Sequence, residues 1–274
     1  MTDNVSADHL AQRSTLALLA AREYLLSLPG VTEGMLDRHL NDWRGRELKS
    51  LRAALENILK SSSNRQGMPN AIGEVSSLSR ALCHFEPRAL VEEFGGRWEN
   101  VFDSIRALGL KRGRMVKSNS HNYWVQFSQT VVDAAAFLAP FNGIDEFTRL
   151  VDQFSVNEHT LAALPLLLWE EIHGLGFALA CDFLKENGYP HYPKPDVHVK
   201  AVFHGLGLSE STDYYVVYKA VIRFAKSVGE LPYVIDKIFW LVGSGKFYLD
   251  NHSVRTDREQ FIRDTSAKLK DSQS

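Results

Sequence analysis

The chain has 274 residues, and 45% of them are apolar, which is enough to build a buried core in one large domain or two small ones. Lys and Arg number 31 against 33 Asp and Glu, so the net charge of -2 excludes a general attraction to nucleic acid or to anionic membranes. Any site for a polyanion must therefore be local.

The pattern of apolar residues predicts helices along almost the whole chain. Apolar side chains recur at spacings of three and four from Leu16 onwards, and sustained two-residue alternation is rare, so the predicted fold class is all-α. A polar, turn-forming stretch over 61–69 marks the main segment boundary. After it, helices are predicted over 71–83, 87–94, 98–107, 121–139, 144–153, 165–172, 177–187, 197–205, 213–228 and 232–242.

These elements suggest three segments: N-terminal helices over 1–60 that pack on the core, a main domain over 61–250, and a C-terminal helix and tail over 251–274. Whether 61–69 is a loop or a domain linker stays open. Both cysteines, Cys83 and Cys181, lie in apolar stretches, where we expect buried free thiols of a reducing compartment. No window approaches the roughly 18 apolar residues that a membrane span needs. We therefore expect a soluble cytoplasmic protein with no membrane contact and no obligate protein partner.

Two glycines separate a pair of predicted helices. Pro165 is expected to open the first helix, because its missing N–H costs nothing at the first helical position, and Gly174 ends it. The second helix begins near Phe177 and ends at Asn187-Gly188, where a left-handed residue is expected. The sequence therefore predicts a helix, a tight hairpin and a second helix over 165–187.

The backbone of this hairpin is a candidate anion site. Gly174 and Gly176 lack Cβ atoms, so another molecule can approach the chain closely. The N–H groups of Gly174, Gly176 and Ala178 would lie at a helix N-terminus, where unpaired donors and the positive end of the dipole favour a phosphate. Such a contact positions a nucleic-acid backbone without reading bases. The alternative is an ordinary turn between helices, because Gly-x-Gly alone is a weak signal.

A single acid, Asp196, is predicted to cap the next helix. The prolines of the preceding loop make it stiff and extended, and Val199, Val202, Phe203 and Leu206 give the helix one apolar face. An N-cap carboxylate accepts backbone N–H bonds, so we expect a lowered pKa for Asp196. An anion held in this way can stabilise a developing positive charge or orient an attacking water. The alternative is a cap with no further role.

Two motifs, Ile172-His-Gly-Leu-Gly176 and Pro195-Asp-Val-His-Val199, together resemble the helix-hairpin-helix DNA glycosylase superfamily, which includes the endonuclease III, MutY and alkyladenine glycosylase types. In that family a hairpin of the form L-P-G-V-G grips DNA phosphates, and a catalytic aspartate follows its second glycine by twenty residues, as Asp196 follows Gly176. The resemblance is strongest over 161–208 and weaker over 71–248. It implies a two-lobed helical HhH-GPD fold with a central cleft, a glycosylase domain over 61–250, and a helix over 196–206 that carries the catalytic aspartate.

The departures from the family pattern narrow the implied activity. Members that also cut the strand carry a lysine two residues after the second hairpin glycine, where this chain has Ala178, so the nucleophile for a Schiff base is absent. His173 replaces the usual proline, and the four-cysteine cluster of endonuclease III cannot form with two cysteines. The resemblance thus implies a monofunctional DNA glycosylase that acts on double-stranded DNA and is nucleoid-associated if the source is prokaryotic. It would flip out a base, and Asp196 would stabilise the oxocarbenium-like sugar while water attacks.

Further residues are candidates for DNA contact. The acid-free stretch 104–132 contains five basic residues, and three of them, together with two residues near Asp196, are assigned to DNA: Arg112, Arg114, Lys117, His198 and Lys200. Tyr123 and Trp124 are assigned to the base pocket as stacking faces. Each assignment has a plainer alternative: a solvated loop for the basic residues, packing for His198, and core positions for the two aromatics.

No cofactor and no catalytic metal are predicted, because Asp-x-His is too small a set to define a metal site. Gly243-Ser-Gly-Lys246 lacks the upstream glycine and the final Ser or Thr of a phosphate loop, so 233–240 is interpreted as a core helix that ends at these glycines. The rival function is a DNA-binding protein that uses the hairpin without cutting a bond. The substrate stays open between a damaged base in repair and a hypermodified base of phage DNA.

Overall fold

The computed structural model describes residues 2–65, 67–110 and 113–271 and confirms the mainly helical, all-α class. The α-helices are, in chain order, α1 (Thr2–Ser27), α2 (Glu33–Asn41), α3 (Leu51–Ser63), α4 (Met68–Ile72), α5 (Pro87–Phe94), α6 (Trp98–Ala107), α7 (Tyr123–Leu138), α8 (Ile144–Phe154), α9 (Glu158–Glu171), α10 (Phe177–Glu186), α11 (Val197–Gly205), α12 (Tyr214–Val228), α13 (Pro232–Ser244) and α14 (Arg258–Asp271). Short 3-10 helices cover Asp42–Gly45, Val75–Phe85 and Tyr248–Asp250. Two short strands, β1 (Lys246–Phe247) and β2 (His252–Ser253), pair antiparallel, with Lys246 opposite Ser253.

The chain forms two compact units. The first combines Met1–Arg46 with Leu184–Ser274, and the second is Glu47–Phe183. The boundary at 183/184 falls inside α10. These units group the residues differently from the segments 1–60, 61–250 and 251–274, which stay a prediction about domains.

In the first unit α13 is the central helix. It packs on α1, α2, α11, α12 and α14, and most of its side chains are buried. Phe203, Phe224 and Phe239 form an aromatic cluster at the centre, with ring centroids 5.3–5.6 Å apart. Because α13 touches most helices of the unit, its polar residues are well placed to organise neighbouring loops.

In the second unit α7 has the corresponding role. It packs on α3, α4, α5, α6 and α9. The apolar side chains of α7 are buried in these contacts: Trp124, Val125, Phe127, Val131, Ala134, Ala135 and Leu138. Helices α8 and α9 pack on each other beside it. The few polar side chains of α7 are therefore available for contacts with the turns around it.

Most predicted helices are confirmed, three of them (87–94, 98–107 and 197–205) with unchanged bounds. The prediction that Pro165 opens a helix is wrong, because α9 begins at Glu158. Asn157 and Thr160 form a capping box there, and Pro165 lies inside the helix. The helix predicted over 71–83 is also wrong: α4 and a 3-10 helix share this region, and the 3-10 helix contains left-handed residues.

The predicted end of the second hairpin helix is confirmed, since Gly188 has φ +92 after α10. Thr32 caps α2 by accepting the Met35 N–H. Cys181 is buried, whereas Cys83 is only half-buried and lies in a turn rather than in a regular helix. No helix of the part that the structure describes has the length and apolar character needed to cross a bilayer.

Candidate functional site

The hairpin between α9 and α10 is anchored on α7. The His173 N–H donates to Asp133 Oδ2 at 3.0 Å, and the Thr130 hydroxyl donates to the His173 carbonyl at 2.7 Å. Leu175 is fully buried, and Gly174 takes φ +78, a left-handed conformation that glycine adopts without strain. Two side chains of α7 therefore hold the backbone of the turn, one at the His173 N–H and one at the His173 carbonyl.

The predicted donors of the hairpin are N–H groups for which the described part of the chain offers no acceptor. Among the described residues, the N–H groups of Gly174, Gly176 and Ala178 donate no hydrogen bond, while the Gly176 carbonyl accepts from Leu179 and Ala180 at 2.8 and 3.0 Å. A Cβ placed on Gly176 would meet no atom within 4 Å. The start of α10 thus presents open backbone and unused donors, which is the arrangement that favours an anion.

A depression of about 660 Å³ lies beside this turn, within the second unit. Its lining combines the hairpin with residues of α7, α9 and the end of α3: Arg65, Gln126, Asp133, Trp169, Glu170, His173, Gly174, Gly176 and Leu179. The charges are mixed. Asp133 is engaged by the hairpin backbone, Glu170 is exposed, and the exposed Arg65 donates to Gln126 Oε1 at 2.9 Å.

A second depression, of about 580 Å³, shares Arg65 and Gln126 with the first and also includes Gly67, His121 and Tyr123. Tyr123 is 37% exposed, so its assignment to a base pocket stays a prediction. Trp124 is only 1% exposed and packs edge-on against Phe127, with ring centroids 6.4 Å apart. For Trp124 the assignment to the base pocket is corrected, because a ring enclosed in the core offers no face for stacking on an extruded base.

The structure divides the predicted basic footprint. Arg112 lies outside the described residues. Arg114 is exposed and, within the described part of the chain, its side chain takes part in no ion pair. Lys117 is bound instead to Asp103, the acid immediately before the acid-free stretch, which also pairs with Arg106. DNA contact by these residues stays a prediction, and Lys117 would have to give up or share its partner.

In the first unit, Asp196 is the N-cap of α11, as predicted. Its Oδ1 accepts the N–H groups of His198 and Val199 at 2.9 and 3.0 Å, and the predicted inward face of the helix is buried. Its other oxygen, Oδ2, accepts no hydrogen bond from the described residues, and the residue is half-buried. One carboxylate oxygen is therefore fixed by the backbone, and the other remains available to a ligand.

The expected pKa of Asp196 was wrong in direction. Burial raises the pKa of this carboxyl above its ordinary value, and the negative charge of Asp236 raises it further. The hydrogen bond from the Val199 N–H, which acts more strongly than the Asp236 charge, and the weaker effects of His198 and Lys185 lower the pKa but do not outweigh burial. The cap alone would have lowered the pKa, so the environment behind the cap decides the sign.

The loop that leads to Asp196 is tied to α13. The Tyr233 N–H donates to the Pro190 carbonyl at 2.9 Å, and the Lys194 N–H donates to Asp236 Oδ2 at 2.7 Å. Asp236 is 1% exposed, and the same Oδ2 accepts the Lys185 ammonium at 3.0 Å. An ion pair thus lies buried directly behind the proline-containing loop.

The two other candidates on α11 lie beside this cap. His198 packs against Gly243 of α13, where a Cβ would come within 2.6 Å of the histidine side chain, and its Nδ1 is buried without a partner among the described residues. Lys200 is half-buried, and its N–H donates to the Asp196 carbonyl at 2.9 Å. The close approach to Gly243 supports the packing alternative for His198, and its contact with DNA stays a prediction.

A left-handed turn precedes α5. Cys83, His84 and Phe85 have φ values of 45, 54 and 62, an unusual run for residues other than glycine. His84 is exposed, with Nδ1 at 3.2 Å from the Ser79 hydroxyl, whereas Phe85 is 3% exposed and packs in the core. Of these residues only His84 projects to the surface.

Several residues that shape these sites were not singled out from the sequence: Thr130, Asp133, Lys185, Asp236 and Arg65. A signal existed for Asp236, because an acid in the apolar helix Tyr233-Val-Ile-Asp-Lys-Ile-Phe-Trp240 must be paired if it is buried. Asp133 is the first acid after the acid-free stretch. Nothing in a single sequence marks Thr130 or Arg65.

Within the described residues, no three His, Cys, Asp or Glu side chains lie together in a way that could hold a metal ion. Comparison of the chain with family models, curated proteins and solved structures gives no match.

Proposed function

We propose that the protein is a monofunctional DNA glycosylase of the helix-hairpin-helix type, which hydrolyses the N-glycosidic bond of a damaged or modified base and leaves an abasic site. The observation that carries the proposal is Asp196: its Oδ1 is fixed by two backbone N–H groups, while Oδ2 has no protein partner among the described residues. A carboxylate that served only as a cap would have no need of the buried ion pair behind its loop.

The chemistry of base release suits such a carboxylate. As the N-glycosidic bond breaks, positive charge develops on the deoxyribose, and a fixed anion with one free oxygen can stabilise that charge without reorganising. The same oxygen can orient the water that attacks the anomeric carbon. Because burial raises the pKa of Asp196, activity should fall at a higher pH than for an ordinary aspartate as the solution is acidified.

The hairpin supplies the second part of the proposal. Unused N–H groups at the start of α10 favour a phosphate of the DNA backbone, and the missing Cβ of Gly176 leaves room for it. A contact of this kind is independent of sequence and holds the strand in register. The two-lobed glycosylase fold with a central cleft, and contacts from Arg114 and Lys117 to DNA, belong to the same proposal.

We expect no strand cleavage, because neither position 178 nor Lys185 supplies a lysine amine that could act as the nucleophile. Ala178 stands where strand-cutting relatives carry the Schiff-base lysine. Lys185, on the same helix, is 5% exposed and bound to Asp236, so its amine is not available as a nucleophile. The expected product is therefore an intact strand with an abasic site.

The test is a screen of duplexes that carry alkylated, oxidised, deaminated or hypermodified bases, including phage DNA, followed by alkali to reveal abasic sites. We expect alkali-dependent cleavage for at least one modified base and no cleavage without alkali. Asp196→Asn serves as the inactive enzyme. The proposal fails if no duplex gains abasic sites, or if the same sites appear with Asp196→Asn.

A non-catalytic DNA-binding protein is the second candidate, and the free hairpin N–H groups favour it equally. This candidate predicts DNA binding without abasic sites on any duplex. It also predicts that Asp196→Asn changes nothing in a binding assay and that Gly176→Ala does. The glycosylase predicts the same binding results, so the screen for abasic sites is the measurement that separates the two functions.

A further inference from the structure

Asp236 and Lys185 form a buried ion pair whose place in the proposed reaction has not been assigned. Asp236 belongs to α13 and Lys185 to the end of α10, and their exposed fractions are 1% and 5%. Two charges removed from water in this way rarely stabilise a fold more than apolar residues of similar volume would. Retention of the pair therefore calls for a reason other than stability.

The contacts of Asp236 indicate that reason. Its Oδ2 accepts both the Lys185 ammonium, at 3.0 Å, and the backbone N–H of Lys194, at 2.7 Å. Lys194 precedes Asp196 by two residues, and the Asp196 N–H donates to the Lys194 carbonyl at 2.8 Å across Pro195. A chain of hydrogen bonds thus leads from α13 through one residue of the loop to the backbone of Asp196.

We propose that Asp236, held by Lys185, is a positioning residue for Asp196: it fixes the Lys194–Asp196 turn to α13, so that the free oxygen of the catalytic carboxylate keeps one orientation. This inference rests on the proposed glycosylase function. Pro195 contributes because it restricts the backbone of Lys194 and leaves few other conformations for the turn.

The pair also affects the charge of Asp196. The groups that act on this carboxyl are Asp236 on α13, Lys185 on α10, and His198 and the Val199 N–H on α11. Asp236 raises the pKa of Asp196 by more than Lys185 lowers it. Removal of both charges should therefore lower the pKa of Asp196 and move the acid limb of activity to lower pH.

Two double variants separate the anchor from the charge. In Lys185→Met/Asp236→Asn both charges are gone, but the Asn oxygen can still accept the Lys194 N–H. In Lys185→Met/Asp236→Ala the charges and the anchor are both lost. The shared Lys185→Met background avoids a buried ammonium that has lost its closer partner and keeps only Glu186, at 3.5 Å, which would endanger folding. Asp250→Asn, which removes the partner of Arg38 and His39 elsewhere in the first unit, is the matched control.

The first measurement is an NMR titration of the Asp196 carboxyl carbon in the free protein, which needs no substrate. We expect Asp196 to titrate at lower pH in the Asn double variant than in the wild type. In Asp250→Asn, Asp196 should titrate as in the wild type. The second measurement is single-turnover excision at saturating DNA. Here the Asn double variant should stay within about threefold of the wild-type maximum, and the Ala double variant should lose about 10- to 100-fold with unchanged DNA affinity.

The outcomes distinguish the two proposals. The Asn and Ala double variants lack the same two charges and differ only in the anchor, so a difference between their Asp196 titrations reports the anchor without any substrate. If the two titrate differently but no duplex is a substrate, the glycosylase function fails and the positioning contact stands. If the two titrate alike, or the Ala double variant excises at the wild-type rate, the positioning role is overturned. A residue with only a structural role would lower Tm without separating the two titrations.

Discussion

The helices α10 and α11 begin in opposite ways. At the start of α10 the N–H groups of Gly176 and Ala178 donate to nothing in the described protein, whereas at the start of α11 Asp196 accepts two N–H groups with one oxygen. Both helix starts have N–H groups that lack a partner within the helix, and both have the positive end of the dipole. The first offers these to an anion from outside, and the second holds an anion of its own.

A third helix shows that capping alone is not informative. Asp213 caps α12 by accepting the Tyr215 and Val216 N–H groups at 2.9 and 3.1 Å, almost the same geometry as Asp196. Asp213 is exposed, however, and no buried ion pair lies behind it in the described contacts. What distinguishes Asp196 is therefore its burial and the loop anchored to α13, not the cap.

The largest expected effect comes from removing the negative charge of Asp196 at the start of α11. Asp196→Asn keeps an oxygen for the cap but removes the charge, so we expect excision to fall at least about 1,000-fold, similar to the loss of a key electrostatic contact in other enzymes. DNA affinity should change less than about twofold, because the hairpin is untouched. Single-turnover excision and fluorescence anisotropy on the same duplex measure both quantities.

Asp213→Asn is the matched control, since it makes the same chemical change at an exposed cap. We expect excision at the wild-type rate. A comparable loss in both variants would mean that helix capping, rather than the charge of Asp196, supports activity, and the contrast between the two caps would then have no functional meaning.

The next effect concerns the open start of α10. Gly176 has no neighbour within 4 Å of a built Cβ and does not have a positive φ, so Gly176→Ala should fold normally. If a phosphate contacts the backbone here, the added methyl group should weaken DNA binding about 10-fold, or about 1.4 kcal/mol. Anisotropy titrations at fixed salt measure the affinity, and thermal melting confirms the fold.

Gly45→Ala provides the comparison, because Gly45, like Gly176, lacks a positive φ and would bring an added methyl group within 4 Å of no other atom. Its DNA affinity should equal that of the wild type. Gly174→Ala is a different case: φ +78 and the Thr130 hydroxyl, 3.0 Å from a built Cβ, predict a loss of about 1–2 kcal/mol of stability. Equal affinities for Gly176→Ala and wild type would exclude close backbone contact with DNA.

Much of the fold could be predicted because helices are local. The spacing of apolar residues, the prolines and the glycine stops gave the bounds of α5, α6 and α11 without error. The start of α9 was missed because Pro165 resembles a first-turn proline, whereas the Asn157 capping box had already begun the helix. The turn at 83–85 was missed because no glycine marks it, and surrounding packing imposes the left-handed conformation.

The candidate site could be predicted only in part. The hairpin glycines and Asp196 stand in one short stretch of sequence, and their local geometry follows from turn and cap rules. The sign of the pKa shift could not be predicted, because it depends on Asp236, forty residues further along the chain. Burial of Trp124 and the pairing of Lys117 with Asp103 likewise depend on packing between distant elements.

A smaller effect concerns stability. Because the pKa of Asp196 is raised in the folded state, the native protein binds this proton more tightly than the unfolded chain does. Burial of the ionised Asp196 carboxylate therefore lowers the free energy of unfolding. This cost is absent well below the ordinary aspartate pKa of about 3.9, where the carboxyl is protonated in both states, and is fully present above the raised pKa. Asp196→Asn removes this cost and keeps the cap. We expect Tm at pH 7 to rise by a few degrees at most, since about 1 kcal/mol corresponds to roughly 2–4 °C.

The increase should disappear on acidification, and thermal melts of both proteins between acid and neutral pH measure it. Asp213→Asn should show no such pH-dependent gain. A lower Tm for Asp196→Asn at pH 7 would mean that the charge stabilises α11 more than burial disfavours it, and the proposed cost of the site would be absent.

The smallest expected effect concerns the proposed contacts of two basic residues of the second unit with DNA phosphates. Arg114 is exposed and has no ion pair in the described part of the chain, whereas Lys117 is already bound to Asp103. A cation that neutralises a phosphate adds about 0.9 to the slope of log affinity against log salt. Arg114→Ala should therefore lower the slope by about that amount and weaken binding about threefold at moderate salt, while Lys117→Ala should change both quantities less, because its charge is shared. Anisotropy titrations at several salt concentrations measure the slopes.

Equal changes for the two variants would mean that DNA displaces Asp103 from Lys117. No change in either variant would exclude both residues from the DNA contact. The N–H groups of α10 that are unpaired in the described part of the chain would then be the contact to DNA in this unit.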